Sequence, residues 1–313
     1  MISKKMLLDS TGKDISAKLK KMNYNLITYL KNDNDKSISE LISGNIQEFE
    51  DENIINIKEY LFAYCLELTK VNLPKCINVS GYAFYYCTAL LNVELPECVD
   101  VGDFAFYHCE KLKQFNAPKV TKLKERAFAN CKSLLNVELP ECVDVGDFAF
   151  LNCTALQNVN IPKCTIINFA TFSNCTALES IDLPKCTTVV KSTFNNCTSL
   201  SNVNLPECTN VGTSSFAYCT ALSKIIFQKI ERMGAGAFED CSNLETLIIK
   251  NDTKVCVIGK ELFINSLSGT KIASGNGYIY VPDKLVQQYK TAYGWDEYAN
   301  QIKPLSEYVE SEV

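Results

Sequence analysis

Apolar residues recur along the chain with a period of 22 residues between about residues 57 and 250. Each period carries one Phe and one Leu at fixed positions. The Phe positions are Phe62, Phe84, Phe106, Phe128, Phe150, Phe172, Phe194, Phe216 and Phe238. The Leu positions are Leu68, Leu90, Leu112, Leu134, Leu156, Leu178, Leu200, Leu222 and Leu244. A fixed period of this length is typical of a solenoid, whose stacked units bury a continuous core that no single unit buries alone. The pattern therefore predicts nine stacked coils, with a looser tenth coil after them.

Two segments are predicted within each coil. The alternation in Leu68-x-x-Val71-x-Leu73 predicts a short strand with Val71 and Leu73 facing the core. Pro74 marks the end of this strand, since proline has no N–H to donate to a sheet. In the stretch 79–87 the apolar residues have the spacing of one helical turn. Each coil is thus predicted to hold one parallel strand and one short helical or 3₁₀ segment.

The composition stands out for 16 Cys and a single His. From Cys65 to Cys241 successive Cys residues are 11 or 22 positions apart, and Val120 and Ile230 fill the two vacant positions. In a solenoid such residues form two ladders of buried small side chains. Parallel Cβ directions in neighbouring coils oppose disulfides, and a ladder lacks the tetrahedral cage of a zinc site. We expect free thiols and no metal site, which favours a reducing or anaerobic setting.

The repeat resembles a known family. L-x-x-V-x-L-P-x-C is similar to the leucine-rich repeat, and the half G/S-x-x-A-F-x-x-C-x-x-L is similar to the BspA-type leucine-rich repeat. The resemblance covers about 190 of 313 residues. It implies an α/β repeat fold, a right-handed solenoid with a parallel β-sheet on one face. It also implies a bacterial or protozoan surface protein that binds host proteins, matrix or other cells.

The resemblance and the repeat boundaries divide the chain into three segments: an N-terminal segment 1–56, the solenoid 57–275 and a C-terminal cap 276–313. Helical spacing from Ile15 to Tyr29 and over 37–49 predicts a helical cap on the first coil. A separate partner-binding module in residues 1–56 is the alternative.

The C-terminal cap is predicted to mix strand and helix. Tyr278–Val281 has the pattern of a strand, and Asp283 is a candidate N-cap for a helix over 284–292. Trp295, the only Trp, is interpreted as a packing residue of this cap rather than a ligand platform.

No arrangement of residues in the sequence points to an enzyme. The lone His108 stands in a column of polar loop residues, and nucleophile, phosphate-binding and metalloprotease motifs are missing. We therefore predict no catalytic, cofactor-binding or metal-binding residues. The formal charge of −5 disfavours nucleic acid as a partner, and no apolar run approaches the ~20 residues of a membrane span.

The best candidates for binding are the two outward positions of each predicted strand, which flank the inward residue. They are short, polar and amide-rich, with an acidic bias. The candidate binding face consists of Lys70, Asn72, Asn92, Glu94, Gln114, Asn116, Asn136, Glu138, Asn158, Asn160, Asp182, Asn202 and Asn204. Such a face suits an extended or flat macromolecular partner; a polar face that merely keeps the protein soluble is the alternative.

We therefore expect a non-enzymatic solenoid that binds protein or another macromolecule, in adhesion or host- or cell-surface interaction. The resemblance implies a location at the cell surface or outside the cell. No export signal or anchor is recognised in the sequence, which favours the alternative of a structural or phage-associated assembly protein, in the cytoplasm or on a phage particle.

Overall fold

A computed structural model describes residues 47–261 and 264–310. These residues form a solenoid of parallel strands with about 11 turns, more than the nine or ten predicted. The predicted helix from Ile15 to Tyr29 lies outside the described residues, as does most of the one over 37–49. At the described end of the latter, Phe49 lies in a strand, where its Cα pairs with that of Val71. A helical N-terminal cap is therefore not supported.

One sheet is built from the strand that the alternating pattern predicts. It recurs once per coil, and its residues pair with those 22 positions further on, as Val71 does with Val93. These strands are β1 (Glu48–Glu50), β3 (Lys70–Asn72), β5 (Asn92–Glu94), β7 (Gln114–Asn116), β9 (Asn136–Glu138), β11 (Asn158–Asn160), β13 (Ser180–Asp182), β15 (Asn202–Asn204), β17 (Lys224–Phe227) and β19 (Thr246–Ile249). All pairings between them are parallel, and they form ladders β1-β3-β5-β7, β9-β11, β13-β15 and β17-β19.

A second row of strands, two residues long, lies after the first in each coil. These are β2 (Asn56–Ile57), β4 (Asn78–Val79), β6 (Asp100–Val101), β8 (Lys122–Leu123), β10 (Asp144–Val145), β12 (Ile166–Ile167), β14 (Thr188–Val189), β16 (Asn210–Val211), β18 (Arg232–Met233) and β20 (Val257–Ile258). They also pair in parallel with the neighbouring coils. The second residue of each is buried and packs into the core.

The stretch 79–87 and its equivalents form turns, so the predicted helical segment is wrong. Tyr82 and Tyr86 both have φ of 59°, in the left-handed region. The N–H groups of Tyr82, Phe84 and Tyr86 donate to carbonyl oxygens of the next coil, at N···O distances of 2.7 to 2.8 Å. In an α-helix these groups would bond within their own segment. Across the described residues, helix is therefore confined to the C-terminal cap.

The core follows the periodic columns of the sequence. The Phe column is fully buried, and neighbouring rings are stacked face to face, as between Phe128 and Phe150 at 5.5 Å. Val71 and Leu73 are completely buried, as predicted. Because every coil contributes the same residues, the core runs without interruption along the stack.

All 16 Cys residues are free, and all but the partly buried Cys65 are buried. The two ladders differ in what their thiols contact. In the Phe-associated ladder, Cys87 Sγ donates to the carbonyl of Phe62 at 2.9 Å, one coil back. In the other ladder, Cys76 Sγ donates to the carbonyl of Asn78 at 3.5 Å. The prediction of packing ladders is confirmed.

The C-terminal cap continues the first sheet. The strand β23 (Tyr278–Val281) pairs in parallel with β19, and β24 (Ile302–Pro304) pairs with β23. An antiparallel hairpin, β21 (Lys260–Glu261) and β22 (Ile264–Asn265), precedes them.

The helix of the cap is shorter than predicted. It comprises a 3₁₀ turn Asp283–Leu285 and α1 (Val286–Thr291), and further 3₁₀ turns lie at Asp296–Tyr298 and Leu305–Glu307. Asp283 does not cap α1, because the 3₁₀ turn precedes the helix and Asp283 Oδ1 accepts the N–H of Ser306 at 3.0 Å instead.

The predicted packing role of Trp295 is confirmed. Its ring is fully buried in the cap. Its indole Nε1–H donates to the carbonyl of Cys256 at 2.7 Å, and its ring packs edge-on against Tyr289. The Tyr289 hydroxyl in turn accepts the N–H of Cys256 at 2.9 Å. Both contacts tie the cap to the end of the solenoid.

Candidate functional site: the strand face

The outward side of strands β3 to β15 is here called the strand face. The structure brings all the predicted binding positions together on it, because each flanks a core residue in its strand. Their side chains are half-buried near the first coils and mostly exposed from β7 onward. These residues thus lie on one continuous face, as expected from the alternating pattern. Their role in binding stays a prediction.

Side chains on the strand face are held by hydrogen bonds that run from coil to coil. Asn116 Nδ2 donates to Glu94 Oε2 at 2.6 Å, and Asn160 Nδ2 donates to Glu138 Oε2 at 2.9 Å. Asn204 Nδ2 likewise donates to Asp182 Oδ1 at 2.8 Å. Carboxylates and amides thus alternate along this column, and each carboxylate is oriented by the amide of the following coil.

The cationic residues of this sheet lie near its two ends. Lys70 Nζ lies 2.9 Å from Glu50 Oε1, and this contact lowers the pKa of Glu50 and raises that of Lys70. At the far end Lys224 Nζ lies 3.8 Å from Glu310 Oε1. All of these side chains are exposed, so the pairs contribute little to stability.

A groove of about 1030 Å³ lies on this surface over β13, β15 and β17. Its polar lining includes Asp182, Asn204 and Lys224, and its apolar part includes Ile226. Ser201, Ser223 and Gln228 also line it, although they lie just outside the strands and were not among the predicted residues. Ser201 and Ser223 are one period apart and directly precede their strands, which is the signal that would have identified them, whereas Gln228 follows Pro206 in its column and carries no such signal.

Two Ile residues, Ile226 and Ile248, occupy outward strand positions in the last coils and have different environments. Ile248 is fully buried, and its Cα pairs with that of Tyr280 in the cap. Ile226 is half-buried and lines the groove. This column therefore changes from polar to apolar between Asn204 and Ile226, in the last coils before the cap.

One loop edge of the first coils carries stacked aromatic rings. Tyr64 stacks on Tyr86 at 5.4 Å, and Tyr86 stacks on His108 at 4.5 Å. Burial lowers the pKa of His108, whose Nδ1 lies 3.4 Å from Glu110 Oε1. The ring faces of Tyr86 are covered by its neighbours, so this edge is a packing feature.

In later coils the same loop column forms an asparagine ladder. Asn152 Nδ2 donates to Asn130 Oδ1, Asn174 Nδ2 to Asn152 Oδ1, and Asn196 Nδ2 to Asn174 Oδ1, each at 2.8 Å. These residues have φ of 59° to 65°. Asn tolerates this left-handed conformation better than most residues do, which explains its recurrence here.

Replacing the central rung of the ladder tests this explanation. We expect Asn174→Ala to lower the free energy of unfolding by about 2–3 kcal/mol. The substitution removes two hydrogen bonds, and it places Ala, whose side chain cannot form a local hydrogen bond, at a positive φ. Asn174→Gly removes the same bonds but relieves the backbone strain, so its loss is expected to be smaller. Urea denaturation of both variants measures the difference, and an equal loss would contradict the role of the backbone.

Among residues 47–261 and 264–310, no group of three or more His, Cys, Asp and Glu side chains is placed to hold a metal ion. Within the same residues, no helix has the length and apolar character needed to cross a membrane.

A family profile identifies the repeat type. The profile of the BspA type leucine rich repeat region matches residues 55–178 and 143–270, with 6 copies. No curated protein is significantly similar to the chain in sequence.

Solved structures of leucine-rich repeat proteins are similar to this chain. A protein of T. pallidum, TpLRR, is 28% identical over 49% of this chain and 77% of its own, with a TM-score of 0.47. A leucine-rich repeat protein from Bacteroides ovatus is 20% identical over 83% of this chain and 84% of its own, with a TM-score of 0.38. A leucine rich cell surface protein from Faecalibacterium prausnitzii is 20% identical over 65% and 77%, with a TM-score of 0.35.

Proposed function

The chain belongs to the BspA-type leucine-rich repeat family, and from this premise we propose that its strand face binds an extended macromolecular partner, in recognition or adhesion at a bacterial surface. Leucine-rich repeat proteins commonly bind proteins or other ligands and are typically non-enzymatic scaffolds. The observation that carries the proposal is the groove of about 1030 Å³, which side chains of successive coils line on this face.

The chemistry of the face suits recognition. Amide side chains both donate and accept hydrogen bonds, and those of Asn116, Asn160 and Asn204 already occupy fixed positions through their neighbours. Groups ordered before binding lose less conformational entropy when a partner arrives, which favours affinity. Ile226 adds an apolar contact at one end of the groove.

The partner is proposed to be a protein or another macromolecule rather than a small substrate. The polar positions recur over strands β3 to β15, so the face is longer than the groove itself. A partner that contacts several coils gathers many weak contacts, as ligands of solenoids do. The division into a segment 1–56, a solenoid 57–275 and a cap 276–313 is kept as part of this proposal.

A pair of matched substitutions tests which face binds. Asn202→Arg places a bulky cation in the groove, whereas Asn210→Arg makes the same change in the same coil on the second row of strands. Saturable binding to purified matrix proteins, glycans and intact bacterial cells is measured for both variants and the parent. We expect the first variant to lose at least about tenfold in affinity, or about 1.4 kcal/mol, and the second to bind like the parent.

Two results would count against the proposal. Binding that is equally strong in both variants and the parent would place the site elsewhere. A parent protein that binds none of the panel would remove the support for a recognition role. Far-ultraviolet circular dichroism of each variant shows that its fold is retained.

A further inference from the structure

The carboxylates of the strand face form a row with a regular spacing. Glu94, Glu138 and Asp182, here called the carboxylate row, occupy the same strand position at intervals of 44 residues, or two coils. Neighbouring parallel strands lie about 4.8 Å apart, so successive carboxylates are about 9.6 Å apart along the solenoid. Asp182 belongs to the lining of the groove, which joins the row to the proposed site.

The hydrogen bonds of the row leave its charge in place. Each of the three carboxylates accepts a bond from a neutral Asn amide of the next coil, at 2.6 to 2.9 Å. The amides orient the carboxylates but do not neutralise them. By contrast, the cation of Lys70 at the start of the sheet is already paired with Glu50. A partner that fits this surface therefore presents cations at matching intervals.

We propose that the strand face binds a polyproline II segment with Lys or Arg at every third residue; this rests on the proposed function. Polyproline II has three residues per turn and a rise of about 3.1 Å per residue, so every third side chain projects from the same side, about 9.3 Å from the last. From Glu94 to Asp182 the row spans about 19.2 Å, and two turns of the peptide span about 18.6 Å. Three cations meet three carboxylates.

Other regular conformations match less well. In an extended strand, successive residues on one side are about 6.6 Å apart, and every second residue on that side is about 13 Å from the last. Neither distance matches the spacing of about 9.6 Å between successive carboxylates of the row. In an α-helix, cations seven residues apart are separated by about 10.5 Å. Over the two intervals of the row, the cations would be displaced from the carboxylates by about 2 Å. Polyproline II also leaves its backbone carbonyl groups unbonded. Each Asn amide has two N–H donors, so one remains for such a carbonyl when the other bonds a carboxylate of the row.

The experiment compares labelled synthetic peptides by fluorescence anisotropy with the full chain. The first repeats Pro-Pro-Lys. The second has the same composition, but its Lys residues alternate between spacings of two and four. The third is a helix-forming peptide with Lys at every seventh position. We expect the first to bind about tenfold more tightly than either of the others. Equal affinities, or tighter binding of the helical peptide, would overturn the proposal.

Two triple variants separate the row from general charge attraction. Glu94→Gln, Glu138→Gln and Asp182→Asn together remove three charges but keep oxygen acceptors for the Asn amides. Asp100→Asn, Asp103→Asn and Asp144→Asn remove the same charge outside the strand face. The first triple variant is expected to lose about tenfold in affinity for the Pro-Pro-Lys peptide, and the second to lose little. Equal losses in the two variants would overturn the proposal.

Failure of this inference is distinguishable from failure of the proposed function. If no peptide binds but the parent still binds members of the macromolecular panel in a way that Asn202→Arg blocks, the strand face is a binding site for a partner of different chemistry. If Asn202→Arg has no effect on panel binding, the proposed function itself fails.

Discussion

Raising the pH from 8 to about 10 is expected to unfold the solenoid cooperatively, because most of its thiols ionise in the unfolded chain but not in the folded one. Burial raises the pKa of Cys76 and Cys186 to about 11. It raises the pKa of Cys65, Cys98 and Cys197 to about 12. An unfolded Cys loses its proton near pH 8.5.

The sign follows from the protons bound in each state. Above about pH 8.5 the unfolded chain binds fewer protons than the folded one, so stability falls as the pH rises, and it continues to fall until the folded thiols titrate. Each such thiol contributes about 1.4 kcal/mol per pH unit. Together, these five thiols contribute about 7 kcal/mol per pH unit, which is comparable with the whole stability of a typical domain.

Circular dichroism during an alkaline titration, with a phosphine reductant present, measures this transition. Cys98→Val, Cys186→Val and Cys208→Val provide a control, because Val120 already occupies this column. The triple variant is expected to remain folded to a higher pH than the parent. A parent that stays folded at pH 11, or a transition that the three substitutions leave unmoved, would contradict the argument.

Phe150→Ala is expected to lower the free energy of unfolding by about 3–5 kcal/mol. Phe150 is fully buried, and its ring lies 5.5 Å from that of Phe128 and 5.4 Å from that of Phe172. Truncation therefore leaves a cavity that both neighbouring coils line. Since each coil is stabilised by its neighbours, the loss weakens the centre of the stack on both sides.

Urea denaturation measures this loss. Leu135→Ala, at a side chain that is 39% exposed, is the control and is expected to cost less than about 1 kcal/mol. A loss at Phe150 no larger than that at Leu135 would show that the Phe stack is not the main source of core stability.

The strands were predictable from the sequence because two independent signals agreed. The alternation through Val71 and Leu73 identified the buried side, and Pro74 identified the end. With the inward residue known, the outward positions followed, and the structure places them on one face. The free Cys ladders were predictable for the same reason, since in-register stacking repeats each column in every coil.

The turns were mistaken for helix because the spacing of their apolar residues is the same as that of one helical turn. Left-handed residues at 82 and 86 bring apolar positions to one side of the chain much as a helical turn does. The Asn residues at 130, 152, 174 and 196 indicated a left-handed conformation, because Asn adopts it more readily than most residues do. The second column of left-handed residues gave no such indication, since it includes Tyr82, Phe104 and Arg126.

The groove was not predictable from periodicity. The repeat specifies which side chains face outward, but the volume over β13 to β17 depends on how the coils are stacked and on residues outside the strands, such as Gln228. The role of Asp283 was not predictable either, because its carboxylate accepts the N–H of Ser306, a residue outside the predicted helix.

The constant 22-residue register has a kinetic consequence. Most contacts between coils join residues about one period apart, whether in strand pairs such as Val71 and Val93 or in side-chain bonds such as that from Asn174 to Asn152. Each added coil therefore closes a loop of the same short length, however long the chain has become. Relative contact order stays low for a protein of this size, which favours rapid folding that proceeds coil by coil as the chain leaves the ribosome.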